Sequence, residues 1–282
     1  MPDSQTRLLG LIGDPVEHSL SPLLHSFLIS RAGLNFCYLA FRVPRESLSG
    51  AILGMRALGI RGLNVTIPHK EAVVPFLDRL SPEAEAVGAV NTIASQDGEL
   101  VGYNTDIQGF LAPLLARGVS LAGKRAVVLG AGGGAAACAY ALLREGAEVA
   151  ITSRTPERTL ALARRLSRFG TVSAHPLEGL PVLLAEADLL VNATPVGMHP
   201  HPEGCPLPPE LLREDLLVYD LVYNPTPTRL LREAAARGAT AIGGLEMLVW
   251  QGAKALKLWT GHRFPPEAMK QAVSHLKEAL HG

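Results

Sequence analysis

The sequence predicts an α/β protein of two domains. Strand-like and helix-like stretches alternate along most of its 282 residues, a glycine-rich turn joins an apolar run to a small-residue helix at Val128–Ala136, and after Met247 the alternation gives way to two long amphipathic segments. Strands alternating with helices of this length imply parallel βαβ units. The last two helices continue no such rhythm and are expected to pack back on the first domain, making it discontinuous. The boundaries drawn are 1–118 with 245–282 for one domain and 119–244 for the other.

In the first domain, Leu8–Gly13 reads as a buried strand followed by a polar loop, Asp14–Ser21. Ser21-Pro22 predicts a helix start, with Ser as N-cap and Pro at the first helical position. The helix runs to Ala32 and ends at Gly33. Phe36–Val43 is a strand, Pro44–Leu58 a helix and Gly62–Ile67 a third strand. Pro68-His69-Lys70 and Ser81-Pro82 each predict a helix start. Val90–Ala94 and Leu100–Val101 read as a short pair turned at Asp97-Gly98. Asp106 stands at the start of an amphipathic helix, Ile107–Arg117.

The second domain's strands are expected at Ala126–Leu129, Glu148–Thr152, Leu189–Ala193, Leu217–Asp220 and Thr240–Ile242. Helices are expected at Gly133–Arg144, Pro156–Arg168, Leu180–Ala187 and Thr228–Arg237, then Met247–Thr260 and Pro265–Leu280.

Composition narrows the function classes. Apolar residues make up 48%, enough for a filled α/β core. Lysine plus arginine balance aspartate plus glutamate at 26 each, so no charge excess points to nucleic acid or an anionic membrane. Cys37, Cys138 and Cys205 are too far apart for a metal or disulfide framework, and no metal is expected. They suit a reducing, cytoplasmic setting. Ala126–Leu143 has nearly the length of a membrane span, yet its four clustered glycines favour strand plus buried helix. The expected partner is a small molecule. A homodimer is compatible with the chain, and nothing in the sequence fixes the oligomeric state.

The glycine turn reads Gly130-Ala131-Gly132-Gly133-Gly134-Ala135. The first glycine allows the turn, the second lets backbone approach a pyrophosphate, and a small third residue lets helix and strand pack closely. The phosphates would lie on the free N–H groups at the helix start. The strand ending at Thr152 runs into Ser153-Arg154-Thr155-Pro156-Glu157-Arg158, with no acid at its tip. A carboxylate there would bond a ribose 2′-hydroxyl, whereas paired guanidiniums clamp a 2′-phosphate. The expected cofactor is NADP. A solvated helix face at Arg154 and Arg158 is the competing reading.

Short polar side chains collect elsewhere. Ser19 and Ser21 lie two residues apart, and Asn64 and Thr66 share one side of a strand. Lys70 follows, the only lysine before Lys124. Asn91, Asn104 and Asp106 lie at strand ends, where open α/β sheets gather ligands. The set suits a polyhydroxylated, anionic small molecule. Duller roles stand beside it: a helix cap for Ser21, turn formation for Asn91 and Asn104, a helix-start charge for Asp106. His18, His25 and His69 read as structural.

These stretches together resemble the shikimate dehydrogenases over nearly the whole chain. The carriers are GDPVEHSLSPLLH, GLNVTIPHK (Gly62–Lys70), GAVNT (Gly88–Thr92), GYNTD (Gly102–Asp106), VLGAGGGAA, SRTPER, NATPVGM (Asn192–Met198), DLVYNPTPT (Asp220–Thr228) and GLEMLVWQGA (Gly244–Ala253). The resemblance implies a substrate domain and a Rossmann-type NADP domain flanking a cleft. It also implies reversible NADPH-dependent reduction of 3-dehydroshikimate to shikimate, a step of aromatic amino acid biosynthesis. By the same resemblance Lys70 and Asp106 form the catalytic pair and also contact substrate, with Ser19, Ser21, Asn64, Thr66, Asn91, Tyr223 and Gln251. Gly130–Gly134, Ser153, Arg154, Thr155 and Arg158 bind NADP, and Leu221 and Gly244 lie near the nicotinamide.

The sequence departs from the family pattern at Gly134 and Ala136, where Arg is frequent at the latter, at Pro195 for Ser, and at Gly243 for Asp. The first departure bears on the grip on the phosphates. Three other readings are a quinate/shikimate dehydrogenase accepting NAD, a non-catalytic ligand-sensing relative, and a methylenetetrahydrofolate dehydrogenase. Arg154 and Arg158 disfavour the first and the Lys70/Asp106 pair the second. The serine pair suits a small polyol better than a folate.

Overall fold

A computed structural model describes residues 3–281. The chain forms two compact units, residues 3–105 with Val249–Ala279, and Asp106–Leu248 with residues 280–281.

The first unit opens with β1 (Arg7–Gly13), α1 (Ser21–Arg31), β2 (Phe36–Arg42), α2 (Leu48–Ala57) and β3 (Gly62–Val65). It continues with β4 (Arg79–Leu80), α3 (Pro82–Val87), β5 (Thr92–Gln96) and β6 (Glu99–Tyr103). Its sheet has the order β2-β1-β3-β5-β6-β4. β1 pairs parallel with β2 and β3, as expected for βαβ crossovers. The rest departs from an all-parallel sheet, since β5 runs antiparallel to both β3 and β6. The β5/β6 pairing has a local cause: Asp97 and Gly98 both have positive φ (51° and 86°), which a two-residue hairpin turn requires.

Two helix starts differ from expectation. Ser21 is the first residue of α1 rather than its cap, because Leu20 already has helical dihedrals (φ −80°, ψ −2°). The Ser19 hydroxyl accepts the Ser21 N–H instead, at 3.2 Å. After Pro68 the chain makes turns and a single 3₁₀ turn, Val74–Phe76, rather than a helix. Pro75 lies inside that stretch and lacks the N–H that a continuing helix would use. Ser81 does cap α3, accepting from Ala84 N.

The second unit contains α4 (Asp106–Ala116), β7 (Arg125–Leu129), α5 (Gly133–Arg144), β8 (Glu148–Thr152), α6 (Pro156–Leu166) and β9 (Val172–His175). It goes on through α7 (Leu180–Ala185), β10 (Leu189–Asn192), β11 (Leu217–Asp220), α8 (Arg229–Ala236) and β12 (Thr240–Gly243). All six strands are parallel in the order β12-β11-β10-β7-β8-β9. The order reverses between β7 and β10, which opens a crevice at their carboxyl ends. β9 went unforeseen because it is a four-residue, half-exposed edge strand without a strong apolar signal. Ala126–Leu143 is indeed β7 plus the buried α5. Among the described residues, no helix is long and apolar enough to cross a membrane.

The chain ends in α9 (Gly244–Thr260) and α10 (Pro266–His281). In the first unit, Ile12, Ile52, Met55, Leu63, Val65 and Ile93 form part of one apolar cluster around the sheet. α9 brings in the fully buried Trp259, whose indole N–H donates to Ile93 O at 2.9 Å. A Cβ at Gly62 would lie 2.1 Å from the Trp259 ring, so only glycine lets this helix settle on β3.

His25, completely buried on α1, stacks on Tyr38 with centroids 4.1 Å apart. Burial pushes its pKa from 6.5 down to about 3, with Asn64 pulling the other way. A depressed histidine contributes stability that is full above pH 6.5 and is lost as pH falls toward 3. His25→Phe keeps the stack and removes the proton site. The variant is expected to lose less stability than the parent between pH 6.5 and 4 in denaturant titrations, and parallel losses would refute this.

Candidate active site

The glycine turn follows directly from β7. Gly130 has φ +115°, and a Cβ there would sit 3.0 Å from Ala193 O, so the crossing is closed to larger residues. Gly132 is the N-cap of α5 in extended conformation, and no side chain caps the helix. The first turn of α5 carries no acid, and a Cβ on Gly132 would meet nothing within 4 Å. Open space beside uncapped N–H groups at the positive end of a helix suits a phosphate. Ala135, Ala137 and Ala139 are completely buried, as close packing of α5 requires. Ala136 is buried too and has no side chain to reach a ligand.

Beside it, Gly130 N donates to Thr152 O at the end of β8. Ser153 Oγ accepts from Thr155 N at 3.2 Å and pairs with Thr159 Oγ1 at 2.7 Å, closing the turn into α6. Arg154, Thr155 and Arg158 are exposed at this turn, and no carboxylate occupies the strand tip. The donor set fits a dinucleotide with a phosphate on its adenosine ribose.

At the carboxyl end of β11, buried Asp220 accepts from Asn192 Nδ2 (2.9 Å), Val222 N (3.1 Å) and Thr228 Oγ1 (2.6 Å). Leu221 is the next residue. A Cβ on Gly134 would lie 3.7 Å from its Cδ1, and one on Gly244 would collide with its carbonyl oxygen at 2.2 Å. Tyr223 is half-buried in the same loop, and Asp106 is buried at the first position of α4.

The first unit brings Asn64, Asn91 and Gln251 into one buried hydrogen-bonded set. Tyr38 Oη donates to Asn64 Oδ1 at 2.7 Å. Asn64 Nδ2 donates to Asn91 O (3.2 Å) and Thr92 Oγ1 (3.1 Å). Asn91 Oδ1 accepts from Thr105 N (2.7 Å), and Asn91 Nδ2 donates to Thr105 Oγ1 (2.9 Å) and Gln251 Oε1 (3.3 Å). Val90 N donates to Lys70 O at 2.7 Å, which anchors half-buried Lys70 next to the segment leading through Asn91 into β5. Thr66 N bonds Ile12 O and Asp14 N bonds Ile67 O, so Thr66 lies beside the loop that carries Ser19 and Ser21. Asn104 does other work, donating to Ala89 O at 2.9 Å.

Family models match three stretches. The shikimate dehydrogenase substrate binding domain matches 11–93, shikimate/quinate 5-dehydrogenase matches 114–199, and the shikimate 5′-dehydrogenase C-terminal domain matches 244–273. The curated shikimate dehydrogenase (NADP+) of Methanopyrus kandleri is 49% identical, with 98% of each chain covered. The chain belongs to the shikimate dehydrogenase family. Among solved family members, one shikimate dehydrogenase in complex with NADP+ superposes with a TM-score of 0.90 at 42% identity, covering 97% of this chain and 96% of its own. The Thermus thermophilus shikimate 5-dehydrogenase in complex with NADP(H) and shikimate gives 0.85 at 46% identity, covering 95% and 98%.

Tyr38 and Asp220 escaped notice as site components, and Thr105 stood out only as one of the short polar groups at a strand end. Tyr38 reads as an ordinary strand aromatic. Thr105 had a signal in its place beside Asn104 and Asp106, and Asp220 in ending a buried strand with a charge. Burial raises the Asp220 pKa from 3.8 to about 6, against the lowering effect of its three donors. The nearby Cys205 thiol is itself pushed up by burial and stays neutral over this range. A raised carboxyl contributes stability that is full below pH 3.8 and lost as pH rises through 6. The Tm of the parent is therefore expected to fall relative to Asp220→Asn between pH 4 and 7, and a constant difference would contradict it.

Proposed function

We propose that this family member is an NADP-dependent shikimate dehydrogenase that reversibly reduces 3-dehydroshikimate to shikimate. The observation that carries the reading is the buried amide and hydroxyl set of the first unit, with Lys70 anchored beside it. Such neutral amides and hydroxyls, held in place by their bonds to one another, offer their remaining donors and lone pairs to the hydroxyls of a polyol in one orientation. The Rossmann-type unit supplies the matching cofactor cradle.

When bound, NADPH supplies the hydride that reduces the ketone. The ketone oxygen then needs a proton, and the Lys70 ammonium donates it. Asp106 is the partner carboxylate of that proton transfer. Ser19, Ser21, Asn64, Thr66, Asn91, Tyr223 and Gln251 orient the substrate. Gly130–Gly134 carry the pyrophosphate on backbone N–H groups, Ser153–Thr155 and Arg158 hold the 2′-phosphate, and Leu221 and Gly244 face the nicotinamide. The three cysteines form no disulfide and suit a reducing cytoplasm.

Absorbance assays with shikimate and quinate, each with NADP and NAD, test the reading. Turnover of shikimate with NADP is expected to dominate, and its absence would overturn the proposal. Lys70→Ala is expected to lower kcat by about 10²- to 10⁴-fold with a much smaller change in KM. A raised KM at unchanged kcat would make Lys70 a binding residue. Replacing Arg154 and Arg158 together by Ala is expected to raise the KM for NADP by roughly tenfold or more through loss of charge-assisted bonds. The KM for NAD should stay nearly the same, and equal effects on both coenzymes would remove the guanidinium clamp.

A further inference from the structure

Asp220 has no part in the proton transfer or the phosphate contacts, yet its carboxylate is completely buried and loses stability above pH 6. Its neighbours suggest what keeps it there. Asp220 and Asn192 are the last residues of adjacent parallel strands, β11 and β10. Oδ1 accepts both Asn192 Nδ2 and Val222 N, while Oδ2 accepts the Thr228 hydroxyl. Asn192 returns the tie, since its backbone oxygen accepts Leu221 N at 3.0 Å. Its Oδ1 accepts Thr194 Oγ1 at 2.6 Å, which pins the loop after β10. Leu221 is thus held by bonds to the residues on both sides of it. Its side chain abuts Gly134 of the glycine turn, and its carbonyl is pressed against Gly244.

We infer that Asp220 is a positioning residue for the cofactor: through Asn192 and Val222 it fixes Leu221 against the glycine turn, on the side where the nicotinamide end is held. The inference rests on the NADP reading above. A neutral amide at 220 keeps one acceptor for the Asn192 and Val222 donors but turns an N–H₂ toward the Thr228 hydroxyl. The loop then keeps its chain path and loses its charge-assisted anchors. Binding of the adenosine half depends on Gly130–Gly133 and Arg154/Arg158 and is unaffected.

The test compares two ligands on the purified apo protein, by fluorescence titration and calorimetry. NADPH carries the nicotinamide and 2′-phospho-ADP-ribose lacks it. Asp220→Asn is expected to raise the Kd of NADPH by about tenfold while that of 2′-phospho-ADP-ribose changes by less than about twofold. Thr228→Val removes the Oδ2 donor and the α8 cap but leaves the Asn192 and Val222 bonds. It is expected to lower Tm and leave the ratio of the two affinities as in the parent. Equal weakening of both ligands in Asp220→Asn, or no weakening of either, would overturn the positioning role. So would a changed ratio in Thr228→Val as large as that in Asp220→Asn. If the parent binds neither ligand, the NADP reading itself fails and this inference goes with it.

Discussion

The missing side chain at Gly62 is the constraint on which the first unit depends. A methyl there would overlap the Trp259 indole, so α9 could not lie on β3. With glycine, the indole is buried and its N–H is satisfied by Ile93 O. Gln251 lies eight residues earlier on the same helix, about 12 Å along its axis. Seating the tryptophan therefore sets where the Gln251 amide meets Asn91 and Thr105. A packing contact in the core thus fixes the register of a polar set at the site.

That set also shows how buried polarity is handled. Asn64, Asn91, Thr92, Thr105 and Gln251 are neutral amides and hydroxyls paired to one another, so no ionic desolvation cost arises among them. Two buried titratable groups, His25 and Asp220, are placed differently. His25 is kept neutral among aromatic rings, whereas Asp220 is given three donors that favour its ionised form. Burial outweighs those donors, since the carboxyl still titrates above its ordinary value. Retaining a strained charge where apolar packing would be more stable is characteristic of functional positions.

Much of this was legible beforehand, for identifiable reasons. The central Rossmann-type strands β7, β10 and β11 are short apolar runs buried on both faces. The pairing of Arg154 and Arg158 with an acid-free strand tip could be read directly because the relevant residues are close in sequence. The antiparallel half of the first sheet was less legible, although Asp97-Gly98 signalled its turn. Ser21 misled because a Ser-Pro pair has the chemistry of a cap, whereas the dihedrals of Leu20 decide where the helix begins. Tyr38 and Trp259 could not be placed at all. Their partners, Asn64 and Gly62, are 26 and 197 residues away in sequence, and no local pattern encodes such contacts.

The interruption of the first unit also orders events during synthesis. Residues 3–105 emerge with Gly62 uncovered, and the helix that covers it is made only after residues 106–248. At about 5–20 residues per second, roughly ten seconds or more separate β3 from Trp259 on the ribosome. The second unit has all its strands in hand before that interval ends, so it can close first. The nascent first sheet meanwhile carries an apolar face without its helix, which makes this stage the chain's most exposed to aggregation and to chaperone capture.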